Sequence, residues 1–379
     1  MKDSKLKVLT VVGTRPEIIR LSRVMSLLDK HVNHIIAHTG QNYDYELNEI
    51  FYKDLDLRKP DFFLNVDVSS LEASVGDIIR KSGELLRQEK PDALLVLGDT
   101  NSCLSAYMAK RLHIPIFHME AGNRCFDFNV PEEINRRIID HIADFNLVYT
   151  EHARRHLISE GLPHRRIYLT GSPMNEVLNY YRPNIDNSMI LDTLGLEQAR
   201  YFVVSVHREE NVDNPVNLEK ILVILNQLAE DYRMPVIVTT HPRTRKRLEA
   251  VENTKMDSRI QFLKPFGFTD YVHLQKNALC TVSDSGTISE ESAILNFPAI
   301  SLRTSMERPE AQDAGTIILT GFNPEVVRKS IELVITEHSG IRSRQLPIDY
   351  QVPDTSWRVL KLIQGNTNLS NIWHGVLSH

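Results

Sequence analysis

Cysteine is scarce: the 379 residues hold only three, Cys103, Cys125 and Cys280, far apart and odd in number. That excludes the disulfide framework of small secreted scaffolds, and no CxxC pair offers a zinc site. An excess of charge of one sign is lacking too, with Lys+Arg 44 against Asp+Glu 49 and a formal net charge of −5. No basic field for nucleic acid is present, so any anionic ligand must be held by a local site. Nowhere do about 18 apolar residues run together, so no membrane span is expected. The opening MKDSKLKVLTVVG is too short in its apolar part for a secretory leader and reads as a strand. That strand is not followed by GxGxxG, which argues against a nicotinamide cofactor. The expectation is a soluble, cytoplasmic protein with no metal and no cofactor.

What is present is an α/β rhythm. Hydrophobic residues make up 42% and charged residues 25%, ordinary for a globular protein, and the length suggests two domains. Apolar runs of strand length, LKVLTVVG, NHIIAHTG, DALLVLGD, IPIFHMEAG, FNLVYT and IYLTG, alternate with helical patterns. They are apolar on both faces, as buried parallel strands are. The rhythm pauses over SPMNEVLNYYRPNIDNSMILDTLGLEQAR, an inter-domain connection, and restarts at YFVVSVHR, PVIVTTHP, IQFLKPF, LCTVSDSG, AISLR and TIILTG. Two Rossmann-like domains facing across a cleft are expected, over 1–172 and 173–353. An amphipathic helix within 354–379 is expected to pack back onto the first.

The chemistry-bearing residues gather where strands end, which is where open α/β sheets bind ligands. VVGTRPE places Arg15 in the turn before a helix with Pro16 in its first turn. LGDTNS places Asp99 at another strand end, where it also suits a helix N-cap. HMEAGNRCFDFNVPEEINRR puts Glu120 at a strand end and Glu132 at the start of the next helix. Several carboxylates in one crevice push their pKa values apart and so supply an acid and a base. Solvated loop charges are the alternative. VSVHREENVDN brings His207 and Arg208 to a strand end, and THPRTRKR brings His241. TVSDSGTISEES joins a strand to a helix through Ser285, Gly286 and Thr287, an anion site suited to a diphosphate, with Glu290 and Glu291 one turn on. A capping box between Thr287 and Glu290 is the competing reading.

Taken in order, GTRPE, HTGQ, LGDT, HMEAG, PEEINR, VHREEN, SDSGTISEE and RTSMERPE resemble the non-hydrolysing UDP-N-acetylglucosamine 2-epimerase family over residues 8–321. The resemblance implies a glycosyltransferase-B-like fold, a homodimer, and inversion at C2 of a UDP-linked 2-acetamido sugar. It implies that UDP leaves by anti elimination to a 2-acetamidoglycal and adds back syn, with a proton delivered to the other face of C2. By motif, Asp99, Glu120 and Glu132 match the acid/base carboxylates, and His207 matches a histidine that stabilises the leaving phosphate. Ser285, Gly286 and Glu291 match diphosphate and ribose contacts, and Tyr271 an aromatic near the uracil. Arg15, Arg20, Arg208, His241, Thr287 and Arg308 complete the substrate-binding set.

Departures cluster on the sugar side. Most members acting on UDP-N-acetylglucosamine have Lys where this chain has Arg20, Leu in place of Asn123, and Asp in place of Thr304. The loop from Glu120 to Glu132 is slightly shorter. TGQNYDYELN, GDTNSC and HMEAGNRCFD resemble the branch that makes UDP-N-acetyl-L-fucosamine from UDP-2-acetamido-2,6-dideoxy-L-talose for capsule or O-antigen. Conversion of UDP-N-acetylglucosamine to UDP-N-acetylmannosamine is the alternative. Gln41 matches part of a second, activating substrate site found in some members, but Asp44 does not. A glycosyltransferase of the same fold, a hydrolysing epimerase and a non-catalytic nucleotide-sugar sensor are rivals. Neither the glycosyltransferase nor the sensor needs the three acids.

Overall fold

The computed structural model describes residues 5–40, 51–240, 256–340 and 345–376. The chain divides into two compact units, Met1–Tyr180 with Ile348–His379, and Tyr181–Pro347.

The first unit is built on seven parallel strands. These are β1 (Lys7–Val12), β2 (Asn33–His38), β3 (Phe62–Phe63), β4 (Ala93–Leu97), β5 (Ile116–Ala121), β6 (Phe145–Val148) and β7 (Ile167–Leu169), in the order β3-β2-β1-β4-β5-β6-β7. Residues 93–97, ALLVL, are buried throughout, as a strand covered on both faces must be. The helices are α1 (Arg15–His31), α2 (Leu71–Glu89), α3 (Ser105–Arg111), α4 (Pro131–Ile142), α5 (Glu151–Ser159) and α6 (Met174–Tyr180). Four of them start where local chemistry favours a start. Pro lies in the first turn of α1 and α4, and the Ser70 and Thr150 side chains accept from backbone N–H groups at α2 and α5.

The second unit has six parallel strands, β8 (Phe202–Ser205), β9 (Val236–Thr239), β10 (Ile260–Leu263), β11 (Cys280–Ser283), β12 (Ala299–Ser301) and β13 (Ile318–Leu319), ordered β10-β9-β8-β11-β12-β13. Its helices are α7 (Arg182–Asp186), α8 (Ile190–Leu194), α9 (Glu209–Val212), α10 (Pro215–Tyr232), α11 (Phe268–Asn277), α12 (Ile288–Leu295), α13 (Pro309–Asp313) and α14 (Pro324–Ser339). Its main core joins Phe202, Val204, Leu225, Val282 and Ile331, all close to fully buried.

Both sheets reverse strand order at one place, between β1 and β4 and between β8 and β11. Loops leaving adjacent strands there diverge to opposite faces and open a crevice at the carboxyl ends. This geometry decides where ligand-facing side chains can stand.

The stretch read as an irregular connection holds α6, α7 and α8 instead. α6 packs on α1, so the first unit extends to Tyr180, beyond the expected limit at 172. Its apolar residues are too few for a long periodic pattern, but Met174, Val177 and Leu178 are buried. The last helix, α15 (Thr355–Trp373), also packs on α1 and buries Val359, Leu360 and Ile363. Ile363→Ala should destabilise the protein by about 2–5 kcal/mol in urea unfolding, the usual cost of emptying a fully buried aliphatic site. A midpoint equal to wild type would show that α15 adds nothing to the core.

Candidate active site

The carboxyl ends of β1, β4 and β5 carry the candidate residues of the first unit. After β1, Glu17 turns back on its own helix start: Oε2 accepts from the Gly13 N–H at 2.6 Å and the Thr14 N–H at 2.7 Å. Its other oxygen accepts from Thr100 Oγ1 at 2.7 Å and from the Ser102 hydroxyl. Glu17 therefore ties the turn carrying Arg15 to the turn carrying Asp99. Burial pushes the Glu17 carboxyl up, against the downward pull of these hydrogen bonds. The Arg15 guanidinium stands 5.3 Å from the Phe51 ring centroid.

Asp99 is held by Arg136, whose Nε lies at 2.9 Å and NH2 at 2.6 Å from Oδ2. Glu120 is buried, and its backbone has φ +64°, a conformation that costs a non-glycine residue free energy. It sits where the pairing of β5 with β6 shifts register between Met119 and Ala121. That irregularity turns its side chain toward the neighbouring strand end, so that a Cβ on Gly98 would stand 3.9 Å from Glu120 Oε2. Arg20 forms an ion pair with the same Oε2, and Asn123 Nδ2 lies 3.3 Å from Oε1.

The strained corner is fixed from behind. Asp140 is fully buried on α4 and accepts from the Gly122 N–H at 3.2 Å and from Arg124 NH1 at 2.7 Å. His118 Nδ1 lies 3.0 Å from Asp140, while its Nε2 lies 2.8 Å from the Gly98 carbonyl. At Gly122, with φ +80°, a Cβ would meet the Ala153 carbonyl oxygen at 2.5 Å, so the close approach needs glycine. Arg124 is clamped by Glu160 at 2.6 and 2.8 Å.

Of the paired acids in PEEINR, Glu133 is buried and engaged by Arg136 at 3.1 Å, by Arg137 at 2.9 Å and by the Cys125 N–H at 3.1 Å. Burial alone would raise its pKa; the Cys125 N–H and Arg136 more than offset that, and it lies below the usual range. Glu132 is half-buried in the first turn of α4.

The second unit repeats the arrangement at β8 and β11. Asp284 is fully buried and accepts from the backbone N–H of His207 at 3.1 Å, that of Arg208 at 3.0 Å and Asn211 Nδ2 at 2.8 Å. The His207 ring is half-exposed with Nδ1 3.3 Å from Asp284. A ring anchored through one nitrogen presents the other outward. In the turn after β11, the Ser285 and Thr287 hydroxyls lie 2.9 Å apart, and the Ser285 hydroxyl accepts from the Thr287 N–H at 3.3 Å. The capping box does not form: the Thr287 side chain makes no cap hydrogen bond, and Glu290 Oε2 lies 3.3 Å from Arg308 Nε. Arg308 NH1 donates to the Gly286 carbonyl at 2.6 Å, and a Cβ on Gly286 would meet that nitrogen at 2.5 Å. Glu291 is buried and accepts from Gln275 Nε2 at 2.9 Å. Tyr271, one turn before Gln275 on α11, has its hydroxyl pKa pushed up by burial and then by Glu291. His241, Gln41 and Asp44 lie outside the described residues.

Sequence reasoning passed over Glu17, Asp140 and Asp284. Glu17 had a signal, standing three residues after Thr14 in a capping-box spacing. Asp284 adjoins Ser285 within the strand-to-helix turn. Asp140 shares a helical face with Glu133 and Arg136, charged residues where an apolar stripe belongs.

The Arg124 clamp has a pH signature. Arg124, against the upward push of burial, holds the Glu160 carboxyl down to about 2. A depressed folded pKa adds stability above the ordinary carboxylate range and loses it as pH falls. Glu160→Gln should cost about 1–3 kcal/mol at neutral pH. The gap to wild type should close between pH 4.5 and about 2 in denaturant melts. A gap independent of pH would remove the ion pair from the explanation.

The UDP-N-acetylglucosamine 2-epimerase family profile matches residues 27–364. In structure the chain is similar to a UDP-N-acetylglucosamine 2-epimerase from Rickettsia bellii, at 49% identity and TM-score 0.92, covering 98% of this chain and 100% of that one. It is similar to the Methanocaldococcus jannaschii UDP-GlcNAc 2-epimerase solved in complex with UDP-GlcNAc and UDP, at 33% identity and TM-score 0.88, covering 95% and 99%. A Pseudomonas aeruginosa relative, a UDP-2,3-diacetamido-2,3-dideoxy-D-glucuronate 2-epimerase, is 31% identical over 86% of this chain and 91% of its own. The spinosyn rhamnosyltransferase SpnG, at 12% identity and TM-score 0.53, shares the glycosyltransferase-B-like fold alone. With its paired parallel sheets and its motifs at both reversals of strand order, the chain belongs to the UDP-N-acetylglucosamine 2-epimerase family, enzymes of the isomerase class.

Proposed function

We propose that the chain is a non-hydrolysing UDP-2-acetamido-sugar 2-epimerase. It converts UDP-2-acetamido-2,6-dideoxy-L-talose to UDP-N-acetyl-L-fucosamine by anti elimination and syn re-addition of UDP, for capsule or O-antigen synthesis. The observation that carries the choice of sugar is at Glu120. Arg20 and Asn123, two of the positions that depart from the pattern of members acting on UDP-N-acetylglucosamine, both touch that carboxylate. A changed pair of donors on the acid/base group changes which substituents the sugar can present there. Arg for Lys also replaces a mobile point charge with a planar fork. The Pseudomonas aeruginosa relative, named for a different UDP-sugar, supports a family in which the sugar varies while UDP is kept.

The roles follow from the chemistry of C2. Its proton is weakly acidic, so loss must be coupled to departure of UDP from C1. Glu120, ion-paired to Arg20, is a carboxylate suited to accept that proton. Asp99, fixed by Arg136, and Glu132 supply the proton exchange on the other face of the glycal. His207, braced on Asp284, stabilises the charge that develops on the departing phosphate. Ser285, Gly286 and Thr287 hold the diphosphate with Arg15, Arg208, His241 and Arg308, while Glu291 takes the ribose and Tyr271 lies by the uracil. UDP must stay bound through the glycal stage, because water arriving at C1 would release free sugar. The complex of the Methanocaldococcus jannaschii homologue with UDP supports this nucleotide as the ligand.

Glu120→Gln should lower turnover by roughly two to four orders of magnitude while UDP affinity is kept. Unchanged turnover would remove Glu120 from the proton transfer. Proton NMR in D2O decides the sugar. Deuterium should enter C2 of the L-talose derivative and not of UDP-N-acetylglucosamine. Exchange with UDP-N-acetylglucosamine alone would assign the mannosamine-forming reaction instead, and exchange with neither would overturn the assignment.

A further inference from the structure

The amino ends of β5, β6 and β7 lie on the edge of the first sheet opposite Asp99 and Glu120. A cavity of about 240 Å³ opens there among Lys110, His113, His141, Asp144, Arg166 and His374. A strand of five or six residues separates this edge from the carboxyl ends, a distance of about 15–20 Å. None of these six residues belongs to the set assigned to the reaction.

Among the described residues the lining carries two permanent cations, three histidines and a single carboxylate. That carboxylate is already engaged. Lys110 Nζ stands 2.6 Å from Asp144 Oδ1 and His374 Nδ1 stands 3.2 Å from it, while the Ile116 N–H donates to Oδ2 at 2.9 Å. Two polar atoms are left over, one a donor and one, in a neutral imidazole whose Nδ1 faces Asp144, an acceptor. Arg166 Nε and His374 Nε2 are buried and have no hydrogen-bond partner among the described residues. Burial, and then the neighbouring Arg166, hold the His374 pKa below its ordinary value, as expected where positive charge is undercompensated.

The helix dipole accounts for part of this set. Lys110 and His141 lie in the last turns of α3 and α4, and His374 caps α15, all positions where a cation meets free carbonyls. It does not account for Arg166, which closes only a three-residue 3-10 turn immediately before β7. A guanidinium placed there with an idle buried N–H is matched by an anion. Two donors, from α3 and the turn before β7, and one acceptor, from the end of α15, suit a tetrahedral oxyanion that still carries a proton.

We propose that this cavity binds a small oxyanion of the phosphate class, with Arg166 Nε donating to one oxygen, a P–OH donating to His374 Nε2, and Lys110 at its side. The probe is inorganic phosphate, titrated calorimetrically into the full chain saturated with UDP, so that any phosphate-binding turn in the second unit is already filled. Wild type should show one binding event, weakened at least tenfold in Arg166→Gln and in His374→Asn, while turnover of the UDP-sugar without phosphate is unchanged in both. If UDP itself fails to bind, the difference between wild type and the two variants still reports on this cavity alone. Absence of binding to wild type, or equal affinity in wild type and variants, would overturn the proposal. If Arg166→Gln shows no cooperative thermal melt, His374→Asn alone decides by the same comparison.

Discussion

The buried carboxylate of Asp140 is the interaction on which the corner carrying Glu120 depends. A non-glycine residue at φ +64° persists only where its surroundings over-determine it. Here Asp140 collects the Gly122 N–H, Arg124 and His118, while His118 reaches on to Gly98 and Arg124 to Glu160. The loop after β5 and the loop after β4 are thus fastened to one group, and Glu120 is carried to the Asp99 side of the sheet. A fully buried carboxylate is tolerable only when its oxygens are filled, and at Asp140 the filling partners are the backbone and side chains that shape the site.

The second unit uses the same device with different partners. Asp284 takes two successive backbone N–H groups, an amide side chain and the His207 ring. In each unit a buried acid aims a residue to which the proposed reaction gives a role. Asp284 lies beside the point where strand order reverses, between β8 and β11, whereas Asp140 lies one strand further on, behind the loop after β5.

The strands were legible because parallel strands buried on both faces must be apolar throughout, and runs such as ALLVL leave no other reading. The candidates Arg15, Asp99, Glu120, His207 and Ser285 could be picked out for a related reason: each follows such a run, and a polar residue at that place stands at the carboxyl end of a strand. Glu17, Asp140 and Asp284 were harder. Their work is done through hydrogen bonds to backbone groups distant in sequence, which leave no periodic trace. The choice between Thr287–Glu290 capping and Arg308–Glu290 pairing depended on the RTSMERPE loop returning to the turn, a tertiary contact that propensity cannot register. The three short helices from α6 to α8 were missed because each has barely a turn or two in which to show a period.

The course of the backbone through α15 has a consequence for how the protein is made. The first unit is discontinuous, and the whole of the second unit is interposed before α15 arrives to cover α1. On the ribosome, synthesis is vectorial. The second unit emerges complete and is free to fold while the apolar surface of α1 that receives Val359, Leu360 and Ile363 is still bare. The unit begun first is therefore finished last, and the nascent chain carries an uncovered sticky face through most of its translation, in the interval when a holdase chaperone has something to hold.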